Sequence, residues 1–280
     1  MIDERLGRST RAERPAPARP LLVAVCREPG PIADDEIATL IEWGGLDPER
    51  GIETVHLLAP DAPEPEDIDL DRYWAVAITG SPFGIRPDPV HDAEHPPAGG
   101  MAALERMRRR AVALAGRLVA EDRPALALCF GLQAIALALG GELTSDQGED
   151  LSAPHLRPTE AGLADPVTGR LPTALRGYVG HADSLAVGLD GALPGGGTIL
   201  LTGTTCQVQM ARWGRHVYGT QFHPEITTEG MRIRIAQYGG AYYPPEERAA
   251  VIERCDSADV TGANALITAF TNHYAHTLTM

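Results

Sequence analysis

The stretch Pro124 to Gly141, P-A-L-A-L-C-F-G-L-Q-A-I-A-L-A-L-G-G, constrains this chain more than any other. Ala125 to Leu128 form a short apolar run behind a proline, which suits a strand buried on both faces of a parallel sheet. Cys129 follows at once. Gly131 allows a sharp turn, and Gln133 to Leu139 continue as an apolar helix that Gly140-Gly141 stops. Strand, tight turn and helix in that order make a nucleophile elbow, here carrying a thiol in place of a hydroxyl. The helix N-terminus favours negative charge at that point, and the thiolate is the form of cysteine that attacks a carbonyl carbon. Taken alone, the small apolar neighbours favour a buried structural cysteine, so this stretch does not settle the chemistry.

Two distant stretches narrow it. Val217 to Glu225 read V-Y-G-T-Q-F-H-P-E, a strand that delivers His223 at its C-terminal end. Glu225, two residues on, is placed to orient the same imidazole and stabilise its charged form. Ala75 to Gly84 read A-V-A-I-T-G-S-P-F-G, a buried strand that breaks at Thr79-Gly80-Ser81. A glycine there lets backbone N–H groups face a ligand, though a plain turn accounts for this piece as well.

Taken together, the three pieces resemble the class I glutamine amidotransferases, whose nucleophile motif is G-x-C-x-G-x-Q. This chain has Ala127-Leu128-Cys129-Phe130-Gly131-Leu132-Gln133, with Ala127 where the family usually has Gly. The resemblance spans nearly all of the chain after residue 20 and is strongest to the branch similar to the amidotransferase domain of GMP synthase. The T-G-S-P-F-G run, L-G-G after the elbow helix, and Gly180-His181-Ala182-Asp183 carry it. It implies an α/β fold, a mostly parallel central sheet flanked by helices of flavodoxin-like type, with a small additional β-rich segment. It also implies a Cys129, His223, Glu225 triad that hydrolyses the glutamine side-chain amide through a γ-glutamyl thioester. Backbone N–H groups near Gly80 and Ser81 and from Phe130 would stabilise the oxyanion. Gln133 would bind the substrate's amino-acid head, and Val179, Gly180 and His181 would belong to a loop closing over the glutamine. His181 and Asp183 stand as rim residues, with a capped turn an equal alternative. No metal and no cofactor is called for, and the ammonia would pass to a separate synthetase protein.

Two alternatives stay open. The same machinery serves γ-glutamyl peptidases and hydrolases acting on other γ-glutamyl amides. A regulatory or scaffold protein retaining the fold is the reading from a different class.

Composition removes several other functions. The formal net charge of −14 argues against nucleic-acid and anionic-membrane partners. Every one of the 24 Lys+Arg side chains is an Arg, which excludes a Schiff-base lysine and a Walker G-K-[ST] loop. No S-G-G-x-D-S run occurs, so a pyrophosphatase half like that of GMP synthases is not expected in these residues. Cys26, Cys129, Cys206 and Cys255 show no C-x-x-C spacing, and no apolar run is long enough for a membrane span, so a reduced, cytoplasmic protein is expected.

In chain order, residues 1–19 read as a mobile polar tail and 20–280 as one domain that could form an oligomer. Strands are expected at Leu21 to Val25 and Gly51 to Leu57, a short helix at Ile37 to Trp43, and an acidic, Pro-rich loop at Ala59 to Asp71. His91-Asp92-Ala93-Glu94-His95 spells a zinc-protease pattern, but flanking prolines and glycines make a rim loop the better expectation. Met101 to Glu121 has helical apolar spacing, with Arg106, Arg109, Arg110 and Arg117 expected on a solvated face. Short strands are expected over Glu142 to Thr204, strands at Ile199 to Leu201 and Val208 to Ala211, and helices at Thr227 to Tyr238, Arg248 to Arg254 and from Gly262 onward.

Overall fold

The computed structural model describes residues 17, 19–188, 190–238, 243 and 245–275. All but two positions of the polar tail expected over 1–19, and most of the connection expected over 239–247, lie outside the described residues. The first half of the chain alternates strand and helix. It runs β1 (Leu21–Val25), α1 (Pro31–Gly44), β2 (Ile52–His56), β3 (Ala75–Ile78), α2 (Pro89–Glu94), α3 (Gly100–Ala120), β4 (Ala125–Leu128) and α4 (Phe130–Ala138). The second half is richer in strands. It has β5 (Leu143–Thr144), β6 (Glu149–Ser152), β7 (His155–Pro158), α5 (Glu160–Ala164), β8 (Leu175–Arg176), β9 (Val179–His181), β10 (Ser184–Leu185), β11 (Thr198–Thr202), β12 (Met210–Trp213) and β13 (Val217–Thr220). Helices α6 (Thr228–Tyr238), α7 (Arg248–Asp256) and α8 (Thr261–Tyr274) close it.

Nine strands form one sheet in the order β2-β1-β3-β4-β13-β12-β11-β7-β8. The first five are parallel, and β12, β11, β7 and β8 continue it antiparallel. The expected β-rich segment is therefore mostly fused to the main sheet, with β5-β10 and β6-β9 as separate two-stranded pairs. The central strands are buried on both faces because their side chains alternate between two cores. Leu22, Ala24, Val76, Ile78, Ala125 and Ala127 pack with α3 and α4. Leu21, Val23, Val25, Ala75, Ala77, Leu126 and Leu128 pack with α1 and α8. A third cluster, including Tyr178, Ile226, Met231, Ile235, Val251 and Cys255, joins α6 and α7 to the rest.

Three local expectations are corrected. Helix α1 starts at Pro31, six residues before the expected Ile37, because proline at the first helical position has the right φ and no N–H to lose. The 87–100 segment is not all loop. Pro89 likewise opens the six-residue α2, and the Asp88 carboxylate caps it by accepting from the Val90 and His91 N–H groups at 3.1 and 3.0 Å. Of the arginines expected on a solvated face of α3, Arg109 is exposed, but Arg110 is buried and Arg106 and Arg117 are half-buried. Arg110 is 2% exposed and donates to Glu64 and to the Leu57, Ala59 and Ala62 carbonyls, while Arg117 donates to those of Pro65 and Ile68. These side chains fold the acidic, Pro-rich 57–68 segment onto the helix, satisfying its carbonyls with fixed guanidinium donors.

Candidate functional site

Cys129 stands where the sheet's two central parallel strands end. Its N–H donates to the Thr220 carbonyl of β13 at 2.6 Å, and it is forced into a positive-φ backbone conformation, φ 46° and ψ −92°. Such a conformation in a residue with a Cβ stores strain and turns the chain from strand into helix within one residue. Gly131 makes the turn possible. A Cβ on it would lie 2.8 Å from the Ile78 carbonyl oxygen and 3.1 Å from the Ala127 Cβ, so the helix could not start so close to β3 and β4. Ala127 itself, the departure from the family motif, is accommodated in β4 against that missing Cβ.

His223 comes from the strand next door. It lies three residues past the end of β13 rather than on it, and its N–H donates to the Tyr178 carbonyl at 2.8 Å. The Cys129 sulfur is near enough to favour the charged imidazole, whose Nδ1 lies 2.6 Å from Glu225 Oε1. Glu225 is fully buried. The Gln221 amide, which sequence reasoning missed, donates to Cys129 Sγ at 3.3 Å. Also missed was Asn264 on α8, whose Nδ2 donates to the Pro224 and Ile226 carbonyls at 2.6 and 3.0 Å and clamps the turn that holds Glu225.

Burial works against a charged His223, yet the Glu225 carboxylate and the Cys129 sulfur hold its pKa up at about 10. Glu225 is raised by burial but lowered more by His223 and Arg234, ending below the usual carboxylate range. Behind them is an ion cluster that sequence reasoning also missed. Glu36 lies 2.8 Å from Arg27 Nη2 and 2.9 Å from Arg234 Nη2, and Asp35 lies 2.9 Å from Arg234 Nη1. Burial raises the Glu36 carboxyl against those two guanidinium groups. The available signal was Glu36 at four-residue steps from Ile32 and Leu40, all three on the buried face of α1.

The raised imidazole fixes a pH dependence of stability. Its pKa is about 10 in the fold against an ordinary 6.5, so the folded state binds the proton more tightly. The stability this contributes is complete below pH 6.5 and is lost as pH rises toward 10, by at most about 1.4 kcal/mol per pH unit for one proton. Urea denaturation midpoints should therefore fall between pH 6.5 and 9.5 more steeply in the parent than in His223→Gln. Equal slopes would contradict the buried imidazolium.

The other sequence-expected residues cluster around the same place. Gly80 lies against the imidazole: a Cβ there would be 2.8 Å from His223 Cε1. Ser81 Oγ accepts from the Phe83 N–H at 3.1 Å, and Phe130 opens α4. Gln133 is buried, and its Nε2 donates to the Asp183 carbonyl at 2.7 Å. Val179, Gly180 and His181, expected in a loop, form the short strand β9 instead, held by antiparallel pairing to β6. The His181 side chain is only 2% exposed and lies 3.1 Å from Glu149, with the residue lining the cavity. Asp183 is at the rim, with Arg86 Nε donating to its Oδ2 at 2.8 Å and Nη2 to its Oδ1. A cavity of about 580 Å³ is lined by Cys129, Gln133, His181 and Asp183 together with Arg86 and His91, while His223 lines a neighbouring cavity that shares Ser81 and Gly180 with it. The zinc-protease-like segment therefore does border the site. Its two imidazoles lie with centroids 4.9 Å apart, while the buried Asp92 between them is bound to Arg108 at 2.9 and 3.0 Å.

A family model described as glutamine amidotransferase class-I matches residues 98–238. The chain is 36% identical over 110 residues to a glutamine-hydrolyzing GMP synthase of Hamiltonella defensa, covering 37% of this chain and 20% of that protein. It is 34% identical over 115 residues to one subunit of a glutamine-hydrolyzing GMP synthase of Halobacterium salinarum, covering 40% of this chain and 59% of that one. The chain thus spans about a fifth of the former and under two thirds of the latter. In fold it is similar to a glutamine amidotransferase of Thermotoga maritima, with a TM-score of 0.67 at 16% identity over 92% of this chain and 99% of that one. A glutamine amido transferase of Methylobacillus flagellatus gives 0.60 at 15% identity over 91% and 94%. No helix among the described residues is long and apolar enough to cross a membrane. The matched segment begins before α3 and ends with α6, so it takes in the elbow, β13 and the His223–Glu225 turn: the chain belongs to the class-I glutamine amidotransferase family.

Proposed function

We propose that this protein hydrolyses the side-chain amide of glutamine and releases ammonia for a separate acceptor enzyme. The observation that carries the reading is the convergence of three buried groups, the Cys129 sulfur, the His223 imidazole and the Glu225 carboxylate, with Cys129 lining a cavity. The Cys129 thiolate adds to the amide carbon, and the carbonyl oxygen becomes an oxyanion. The N–H of Phe130, in the first turn of α4 where no intrahelical acceptor exists, and the N–H of Gly80 stabilise that charge. His223 passes its proton to the departing nitrogen, and ammonia leaves a γ-glutamyl thioester. A water molecule gives a proton back to His223, attacks the thioester and releases glutamate, restoring the sulfur. Glu225 holds the imidazole in place and balances its charge throughout. An acceptor synthetase is the natural partner, since relatives named for GMP synthesis are glutamine-hydrolysing. The four cysteines are buried and free, in keeping with a reducing cytoplasmic setting.

The cavity volume supports a second reading. About 580 Å³ is in the range that encloses drug-sized ligands, so a larger γ-glutamyl amide also fits. Release of ammonia or amine from the purified chain, measured across glutamine and a panel of γ-glutamyl amides, separates the two. Turnover highest on glutamine is expected. Faster turnover of a larger amide would assign a γ-glutamyl hydrolase, and turnover of none would leave a non-catalytic binder.

A further inference from the structure

Beside the nucleophile lies a second buried acid–imidazole pair that the proposed reaction does not use. Glu149 on β6 and His181 on β9 are register partners, with side chains 6% and 2% exposed. His181 Nε2 lies 3.1 Å from Glu149 Oε2, and the same oxygen accepts from Gln209 Nε2 at 2.6 Å. On the other side of the ring, Nδ1 lies 3.0 Å from the carbonyl oxygen of Asp183. A carbonyl can only accept, so Nδ1 carries a proton and donates it. The imidazole is thereby locked in one orientation between a fixed carboxylate and a fixed carbonyl.

That carbonyl ties the pair to the helix that follows Cys129, while His181 itself lines the cavity. The carbonyl also accepts from Gln133 Nε2 at 2.7 Å, four residues along α4 from the nucleophile. The path closes on itself. The N–H of Gln221 donates to the carbonyl of Gln209 at 2.8 Å, and its side-chain amide donates to Cys129 Sγ. Gln209 and Gln221 are both fully buried. A ring of hydrogen bonds therefore runs from Cys129 through Gln133, the Asp183 carbonyl, His181, Glu149, Gln209 and Gln221 back to the sulfur. Asp183, held by this ring through its backbone, presents its side chain with Arg86 at the cavity mouth.

We infer that Glu149 and His181 are positioning residues, which fix the backbone of Asp183 so that the cavity mouth holds the amino-acid head of the substrate. The inference rests on the glutamine-hydrolysis reading above. The pair acts through the Asp183 backbone and not on the reacting atoms, so its loss weakens substrate binding in ground and transition states alike. Cys206 Sγ lies close enough that the three ligating atoms fall within 4.8 Å of one another, a grouping that could hold a transition metal. Each of those side chains already has a protein partner, since the Cys206 thiol bonds the Val208 carbonyl at 3.4 Å and burial pushes its pKa up to about 12. The hydrogen-bonded arrangement is the one that accounts for all of them.

Steady-state kinetics on Glu149→Ala, His181→Ala and Glu149→Gln test the assignment. The two alanine variants are expected to raise KM for glutamine at least about tenfold while kcat stays within about threefold. Glu149→Gln, which can still accept from Gln209 and meet the imidazole, should return KM to within about threefold of the parent. Alkylation of Cys129 by iodoacetamide, which has no amino-acid head, should proceed at the parent rate in all three. An unchanged KM in both alanine variants of an active parent overturns the inference while leaving the hydrolase reading intact. A fall in kcat and alkylation rate with KM constant also overturns it, because that is general loss of structure. One zinc ion bound per parent chain and lost in Cys206→Ser would overturn it in favour of a metal site. A parent that turns over no γ-glutamyl amide removes the hydrolase reading, and this inference with it.

Discussion

Cys129→Ala is expected to lower turnover of glutamine by about 10⁴-fold or more while leaving the fold in place. In hydrolases that work through a nucleophile, base and acid acting as a unit, removal of the nucleophile costs about that much, because no remaining group can form the covalent intermediate. The fold should tolerate the change. Among the described residues the Cys129 side chain is hydrogen-bonded only by Gln221, and alanine keeps the backbone of the elbow as strained as before. A circular dichroism melt within a few degrees of the parent, with ammonia release at background, is the expected pair of results. The same site can be read chemically. Burial pushes the thiols of Cys26 and Cys206 up to about 12 and that of Cys255 to about 11, so a glutamine-shaped diazo-ketone should label Cys129 alone. Appreciable turnover by the alanine variant would dismiss the covalent mechanism.

The second large effect is expected from a single methyl group. A Cβ on Gly80 would lie 2.8 Å from His223 Cε1, closer than nonbonded carbon atoms approach, and 3.7 Å from Arg27 Nη2. The ring cannot yield freely, because Nδ1 is tied to Glu225 at 2.6 Å and the His223 N–H to the Tyr178 carbonyl at 2.8 Å. Gly80→Ala should therefore tilt the imidazole away from the sulfur. A displacement of the base by about 1 Å is worth about 10² in rate, with much less effect on substrate binding. The measurement is kcat and KM on the variant. A kcat within twofold of the parent would show that the imidazole has room the structure denies it, or that it is not the base.

The elbow is legible in the sequence because all of its determinants are local. Four apolar residues, a cysteine and a glycine at fixed spacing define strand, turn and helix without help from elsewhere. The strand leading to His223 is legible for the same reason, and Glu225 follows from a two-residue spacing. What escapes is non-local. Arg110 sits at a helical position that reads as exposed, and only the return of the 57–68 segment buries it. Glu149, His181 and Gln209 are 28 to 60 residues apart, and nothing in any one of them announces the others. The antiparallel strands read as a separate small segment, since short apolar runs do not reveal that β12 pairs with β13 and extends the main sheet. Helix α2 hides behind its prolines, which signal a broken helix although one of them starts it.

Cys129 directly follows β4 and His223 lies three residues past β13, two strands paired from Ala125 with Val217 to Leu128 with Thr220. Their spacing is therefore inherited from the distance between two hydrogen-bonded strands at the centre of the molecule, where local opening is most costly. The imidazole can still tilt about its own side-chain bonds, but the backbone that brings the two residues together cannot part without opening the centre of the sheet. In such an architecture, the backbone frame that brings Cys129 and His223 together is lost with the native state, not ahead of it.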